Sequence, residues 1–351
     1  MNFLEFYGLR EDPFRLSPDP VYFYPSAAHQ VALNSLDYTV EQKEGFCLIS
    51  GEPGTGKTTL LKVFMERWEQ RADIALILTP RLGPEEFLQA LCEDLGIDGE
   101  WGGGCGGKGK IHLLKSFRDF LLERSLEKRP VIIVVDEAQE LPDSTLEELR
   151  LLSNIETGTE KLVQIVLVGQ PEIEKRLSTD TLRQLDQRIT VRARITPLSV
   201  EEIAAYINHR LIRAGKGFLR LDEKMVRLIH RFSGGIPRII NVITSRTIMS
   251  AYLEGRNVVT DRHVRYAIDH LDGGGLPAPG HRRVPSGVYA ALAVVVFCIF
   301  AAAGYFFIFE RGEPMPAASP AASAARAERA ATAQPAAPGL APARAKRGAR
   351  P

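Results

Sequence analysis

The sequence predicts an α/β fold with a parallel sheet, followed by a small helical domain. Five short runs rich in β-branched residues carry this prediction: FCLIS (46–50), IALIL (74–78), VIIVV (131–135), VQIVLV (163–168) and VRARI (191–195). Stretches with helical spacing of apolar residues separate the first four runs. Such alternation indicates a parallel sheet with helices on both faces.

After Pro197 the apolar spacing is helical throughout. The stretch SVEEIAAYINHRLIRAG begins with Ser199 and has Glu202 three residues later, which is the signature of a capping box. Further helices are predicted over 222–233, 236–253 and 260–270. The globular part therefore divides into an α/β domain over 1–197 and a helical lid domain over 198–271.

Residues 288–309 form an apolar run without a charged side chain. A helix of this length would span about 33 Å, close to the roughly 30 Å of a bilayer's hydrocarbon core. The alternative is a buried core helix, but such a helix is usually shorter and keeps a polar stripe. We expect a linker over 272–287, a single transmembrane helix over 288–309 and an Ala/Pro-rich tail over 310–351 that does not fold alone.

The charge distribution separates the tail from the rest of the chain. The formal net charge is +1, and residues 310–351 hold seven Arg or Lys against three Glu, so the tail is +4 and the remainder −3. A body with this balance argues against a broad nucleic-acid surface. We therefore expect no nucleic-acid partner.

The sequence GEPGTGKT (51–58) matches the pattern G-x-x-x-x-G-K-[ST] at every fixed position. It follows a predicted strand and opens a predicted helix, so backbone N–H groups and the helix N-terminus would surround the phosphates of ATP. Lys57 is expected to reach the β and γ phosphates, and the Thr58 hydroxyl to bind Mg²⁺. The predicted ATP-binding residues are Gly51, Glu52, Pro53, Gly54, Thr55, Gly56, Lys57, Thr58, Thr59 and Asp136. By contrast, the glycine-rich WGGGCGGKGK (101–110) follows no strand and is predicted to be a loop.

Polar residues follow two later strands. Asp136 and Glu137 come directly after VIIVV, where Asp136 would hold Mg²⁺ through water and Glu137 would polarise the attacking water. Gln170 follows the fourth strand and is predicted to sense the γ-phosphate or orient that water. Lys57, Glu137 and Gln170 are thus candidate catalytic residues.

Arginines complete the candidate catalytic set. Arg188 lies just before the last strand, where it could project into the nucleotide site of a neighbouring subunit, and Arg183 is the alternative for this role. Arg238, at the start of a lid helix in GGIPRIIN (234–241), could reach the γ-phosphate of its own subunit. A role for Arg188 or Arg183 requires an ATP-dependent homo-oligomer.

Together these motifs resemble those of AAA+ ATPases, and more closely the ExeA/GspA family (general secretion pathway protein A). The closer resemblance covers about residues 1–271 and includes FYGLREDPFRLSPDP, GFCLISGEPGTGKTTL, DEAQ, LRLLSNIET and PLSVEEIAAYINHRL. It implies a P-loop AAA+ core with a helical lid, held at the inner membrane. Some family members carry a periplasmic peptidoglycan-binding domain and act with a partner, GspB, in secretin assembly. Only 42 residues follow Phe309 here, so we expect that domain to be missing.

The leading prediction is a membrane-anchored ATPase that drives assembly or remodelling of an envelope secretion, pilus or exopolysaccharide-export machine. The alternatives are a DNA-associated ATPase of the transposition-helper type and a nucleotide-gated membrane scaffold with little turnover. The arginines near the apolar run do not decide its orientation. Because ATP is cytosolic, the ATPase domain is expected in the cytoplasm and the tail in the periplasm.

Residues 1–24 contain seven of the chain's 27 aromatic residues. We expect them to pack against the ATPase core near the adenine, with packing alone as the alternative.

Overall fold

A computed structural model describes residues 2–78, 81–97, 108–158, 160–215 and 219–271. Within them, five strands form a parallel sheet in the order β2-β3-β4-β1-β5. The strands are β1 (Phe46–Gly51), β2 (Asp73–Ile77), β3 (Val131–Val135), β4 (Val163–Gly169) and β5 (Val191–Ile195). The predicted parallel α/β fold is therefore confirmed, and each strand lies within one residue of its predicted bounds.

Helices cover both faces of the sheet. They are α2 (Ala27–Glu41), α3 (Lys57–Trp68), α4 (Pro84–Asp94), α5 (Lys108–Leu126), α6 (Asp143–Leu152), α7 (Glu172–Leu177) and α8 (Arg183–Asp186). A short helix, α1 (Phe3–Tyr7), precedes them in the N-terminal segment. Successive strand residues point to opposite faces. Phe46 and Leu48 pack with α4 to α8, whereas Cys47 and Ile49 pack with α2 and α3.

The lid consists of α9 (Val200–Arg213), α10 (Glu223–Ser233), α11 (Pro237–Leu253) and α12 (Asp261–Asp269). The capping box of Ser199 and Glu202 is formed at the start of α9, where the Glu202 N–H donates to the Ser199 hydroxyl at 3.3 Å. The apolar faces of these helices meet in a core of their own.

The N-terminal segment, residues 2–24, packs largely on the lid. Tyr7, Phe14 and Tyr22 are buried among lid residues. The Tyr7 hydroxyl lies 3.1 Å from the carbonyl oxygens of both Ile248 and Arg256. The expectation that the aromatic residues pack near the adenine is thus wrong for Tyr7, which lies at the far end of α11.

Arg210 of α9 binds the same N-terminal segment to the lid. Its guanidinium donates to the carbonyl oxygens of Pro13 and Arg15 and lies over the Tyr22 ring, 4.8 Å from the centroid. Because the Arg210 side chain is buried and paired with backbone oxygens, lid and segment form one packed unit.

Four predictions fall partly or wholly outside the described residues. Helix α5 begins at Lys108, so the end of the predicted loop 101–110 is helical, while 101–107 are not described. The linker (272–287), the predicted transmembrane helix (288–309) and the tail (310–351) also lie outside. Across the described ranges, no helix combines the length and apolarity needed to cross a bilayer.

Candidate nucleotide-binding site

The candidate site lies at the carboxyl ends of β3, β4 and β1, which are neighbours in the sheet. Ligands of open α/β sheets bind at this edge. Asp136 follows β3, Gln170 follows β4, and the phosphate loop joins β1 to the start of α3. The fold therefore brings residues that are up to 119 positions apart in the sequence into one site.

The phosphate loop needs glycine where the sequence provides it. Gly54 and Gly56 have φ angles of 81° and 99°, in the left-handed region that L side chains rarely adopt. Glu52 and Pro53 are exposed at the loop tip, whereas Thr55 is buried and its hydroxyl donates to the Glu52 carbonyl at 2.8 Å. Thr59 is half-buried in the first turn of α3.

Lys57, the first residue of α3, is buried, and its ammonium group donates to the carbonyl oxygens of Gly51 and Glu52 at 2.8 and 3.2 Å. Burial lowers its pKa, which the carboxylates of Glu137 and Asp136 oppose. The side chain thus folds back over the loop, with its charge close to the place where phosphates would bind.

Thr58 and Asp136 form an oxygen pair beside Lys57. The Thr58 hydroxyl donates to Asp136 Oδ2 at 2.8 Å, and the Glu137 N–H donates to Oδ1 at 2.9 Å. Burial raises the pKa of Asp136, and both hydrogen bonds oppose this shift. A hydroxyl and a carboxylate fit Mg²⁺, which prefers oxygen ligands and takes its remaining ones from water and phosphates. In the described ranges no cluster of three metal-binding side chains occurs.

Glu137 is held by two glutamine amides. Gln139 Nε2 lies 2.6 Å and Gln170 Nε2 3.3 Å from Glu137 Oε2. The side-chain oxygen of Gln139 also accepts the Gln170 N–H at 3.0 Å. Glu137 itself has a φ angle of 52°, a left-handed conformation that is rare outside glycine and recurs at functional sites. The structure thus places Gln170 beside the predicted base.

Sequence reasoning gave Gln139 no role. It lies two residues after Glu137, and a short 3₁₀ helix (Ala138–Glu140) brings its amide back to that carboxylate. Arg176 of α7 supports this turn by donating to the carbonyl oxygens of Gln139 and Leu141 at 2.6 and 2.8 Å. Gln139 is the last residue of the DEAQ motif quoted above, but the sequence assigned no role to it. Arg176 had no sequence signal.

Arg238 lies against the phosphate loop. Its N–H donates to the Gly54 carbonyl at 3.2 Å, and a Cβ atom at Gly54 would come within 2.8 Å of Arg238 Cβ. The guanidinium is exposed. The lid therefore touches the phosphate loop directly.

Arg188 and Arg183 lie away from this site. Arg188 donates to Ser153 Oγ at 3.1 Å and to the side-chain oxygen of Asn154, and Arg183 is exposed at the start of α8. Neither is positioned to act on the nucleotide of its own subunit, so any role of either in hydrolysis requires a neighbouring copy.

Comparison with known proteins agrees with this geometry. A family model described as an AAA domain matches residues 40–177. General secretion pathway protein A from Aeromonas hydrophila is 38% identical over 271 residues, which are 77% of this chain and 49% of that protein. The chain thus spans about half the length of this relative.

Solved structures share the fold. Cdc6p from Pyrobaculum aerophilum aligns with a TM-score of 0.56 at 20% identity, over 74% of this chain and 70% of that one. The ORC2 protein of Aeropyrum pernix, in its ADPNP-ADP complexes, aligns with a TM-score of 0.52 at 15% identity, over 72% of each chain. At such identities the similarity shows an α/β P-loop AAA fold and nothing finer.

Proposed function

Because the chain belongs to the ExeA/GspA-like AAA ATPases, we propose that it hydrolyses ATP at the inner membrane to drive assembly or remodelling of an envelope secretion, pilus or exopolysaccharide-export machine. The observation that carries the ATPase part is the convergence of Lys57, Thr58, Asp136 and Glu137 on one phosphate loop. The membrane part rests on the apolar run 288–309.

Each residue of the site has a task in ATP hydrolysis. Lys57 and the backbone N–H groups of the loop bind the β and γ phosphates. Thr58 and Asp136 would hold Mg²⁺, which neutralises charge on the phosphate oxygens. Glu137 orients the attacking water, and Gln170 fixes the direction of the Glu137 carboxylate through its amide.

The lid supplies the link from nucleotide state to movement. Arg238 touches the phosphate loop through its backbone, and its exposed guanidinium would bind the γ-phosphate. Loss of that phosphate would weaken the hold of the lid on the loop. A nucleotide can shift a conformational equilibrium only by such a difference in affinity between two states.

Turnover is proposed to need an ATP-dependent homo-oligomer in which Arg188 or Arg183 completes a neighbour's site. An arginine supplied in this way typically raises the rate by about 10³- to 10⁵-fold. Poor turnover by an isolated subunit is therefore expected. A GspB-like membrane protein is one candidate for the partner through which the ATPase would act on such a machine.

The ATPase proposal is tested by measuring ATP hydrolysis by the full-length protein, purified and returned to membranes. Lys57→Ala should lose nucleotide binding, whereas Glu137→Gln should bind ATP and lose about 10²- to 10⁴-fold in turnover. Lys115→Ala, an exposed lysine on α5, is the matched control and should behave like the wild type. Equal turnover in Lys57→Ala and the wild type would reject the proposal, and binding without turnover in any oligomer would favour the scaffold alternative.

Topology is tested separately. A reporter that is active only in the periplasm should give signal when fused after Pro351 and none when fused after Asp272. Signal confined to the cytosol for the full-length fusion would exclude a single span with a periplasmic tail.

A further inference from the structure

His29 lies in the first turn of α2, directly behind the phosphate loop, and belongs to none of the motifs described above. Its Nε2 is 2.9 Å from the Thr55 carbonyl oxygen, and its Nδ1 is 2.6 Å from the Ser26 hydroxyl. The side chain is only 5% exposed, and the Phe23 ring meets it edge-on with the ring centroids 5.5 Å apart. A buried histidine with both nitrogens bonded is fixed in position.

The two hydrogen bonds determine which nitrogen carries the proton. Burial lowers the pKa of His29, more than the Thr55 carbonyl and the Glu202 carboxylate raise it, which favours the neutral ring. A carbonyl can only accept, so Nε2 donates to Thr55, and Nδ1 accepts from the Ser26 hydroxyl. Ser26 is itself fixed as the N-cap of α2.

The Thr55 carbonyl belongs to the peptide that leads into Gly56. In a planar trans peptide the carbonyl oxygen and the following N–H point in opposite directions. Because His29 binds the Thr55 carbonyl oxygen, the Gly56 N–H is directed away from His29. A Cβ atom at Gly56 would lie 3.0 Å from His29 Nε2, so the ring also fills the space behind the loop.

The same turn touches the lid. The Ala27 N–H donates to the Glu202 side chain at 3.2 Å, at the start of α9. The segment preceding Ser26 is fastened to the lid by Arg210. His29 is therefore located where the lid-bound segment meets the phosphate loop.

We propose that His29 is a positioning residue for the nucleotide phosphates: it holds the Thr55–Gly56 peptide with its N–H toward the phosphates, and Ser26 fixes the imidazole in the tautomer this requires. This inference rests on the proposed function, because it assumes that a nucleotide occupies the loop.

The test measures affinity of the full-length protein for a fluorescent ADP analogue. His29→Ala should weaken binding roughly tenfold, the value of about one hydrogen bond. His29→Gln keeps an N–H donor and should restore most of the affinity. In hydrolysis, the KM of His29→Ala should rise more than its kcat falls, because Glu137 is not touched.

His263 provides the matched control. It is also buried, also lies three residues after the N-cap of its helix, and its nitrogens bond Thr260 and Glu254. His263→Ala should lower the thermal stability without changing nucleotide affinity. Unchanged affinity in His29→Ala, or an equal loss in His263→Ala, would overturn the proposal.

A second measurement is made on the wild-type protein, and Ser26→Ala serves only to identify the His29 signal. In nitrogen NMR spectra of the histidine-labelled wild-type protein, the signal that changes in Ser26→Ala should report a proton on Nε2. A proton on Nδ1 would overturn the proposal. Absence of turnover in the wild type would contradict the proposed function alone, since affinity and proton position are measured without hydrolysis.

Discussion

Among the described glycines of the lid, Gly235 is the one where an added methyl group would meet the closest backbone atom. Its φ angle is +78°, and a Cβ atom there would come 2.2 Å from the Leu198 carbonyl oxygen. That approach is far inside van der Waals contact. The Gly235 carbonyl also accepts the Leu198 N–H at 2.8 Å, so the two backbones cannot separate without losing this hydrogen bond.

The cost of Gly235→Ala has two parts. The left-handed conformation costs an alanine about 1–2 kcal/mol. Relief of the collision by a backbone shift adds about 1–3 kcal/mol. We therefore expect the free energy of unfolding to fall by about 2–5 kcal/mol in total.

Gly234 is the neighbouring control because it separates the two parts. Its φ angle is +59°, but a Cβ atom there would meet nothing within 4 Å. Gly234→Ala should therefore show only the conformational cost, about 1–2 kcal/mol. Urea unfolding of both variants, followed by circular dichroism, gives the difference between them.

Nucleotide affinity is the second readout. Gly235 lies three residues before Arg238, whose N–H bonds the Gly54 carbonyl of the phosphate loop. A shifted Gly235 should displace that contact and weaken binding, whereas Gly234→Ala should leave it intact. Equal losses of stability and equal affinities in the two variants would refute the reasoning, because the collision with Leu198 is the one difference considered.

Three further predictions concern other parts of the molecule. Burial raises the pKa of Cys47 to about 12 and that of Cys92 to about 11, so neither thiol should be alkylated at pH 8 in the native protein, as mass spectrometry of peptides can show. Modification at the rate of an unfolded peptide would contradict their burial. Gln139→Ala should lower kcat by about ten- to a hundredfold at unchanged nucleotide affinity, because Glu137 loses one of its two amide donors; unchanged kcat would exclude this support. Arg210→Ala should lower the free energy of unfolding by about 2–4 kcal/mol, since buried carbonyl oxygens lose their donors, and limited proteolysis should then cleave the N-terminal segment first.

The sheet could be predicted from the sequence because burial on both faces leaves a local signature. Every residue of β3 is buried, and the run VIIVV is accordingly apolar throughout. The phosphate loop could be predicted equally well, since its glycines and Lys57 occur at fixed spacing in the sequence. The structure brings Lys57, Thr58 and Asp136 together, while their roles in hydrolysis remain predictions.

The contacts that the sequence did not reveal join distant positions without a local pattern. His29 and Thr55 are 26 positions apart, and a histidine near a helix start has no spacing that indicates a bond to a loop. The placement of Tyr7, Phe14 and Tyr22 among lid residues was missed for the same reason. Aromatic residues indicate that a segment packs, but not on which domain.

The packing of the N-terminal segment on the lid has a consequence for synthesis on the ribosome. Tyr7 and its acceptor Ile248 are 241 positions apart. At about 5–20 residues per second, tens of seconds separate the emergence of these two residues. The α/β domain between them can close during that interval, but the lid cannot complete its core until the first helix returns to it. During translation Tyr7, Phe14 and Tyr22 thus lack their lid partners longest, and we expect a chaperone to be most useful for this part of the nascent protein.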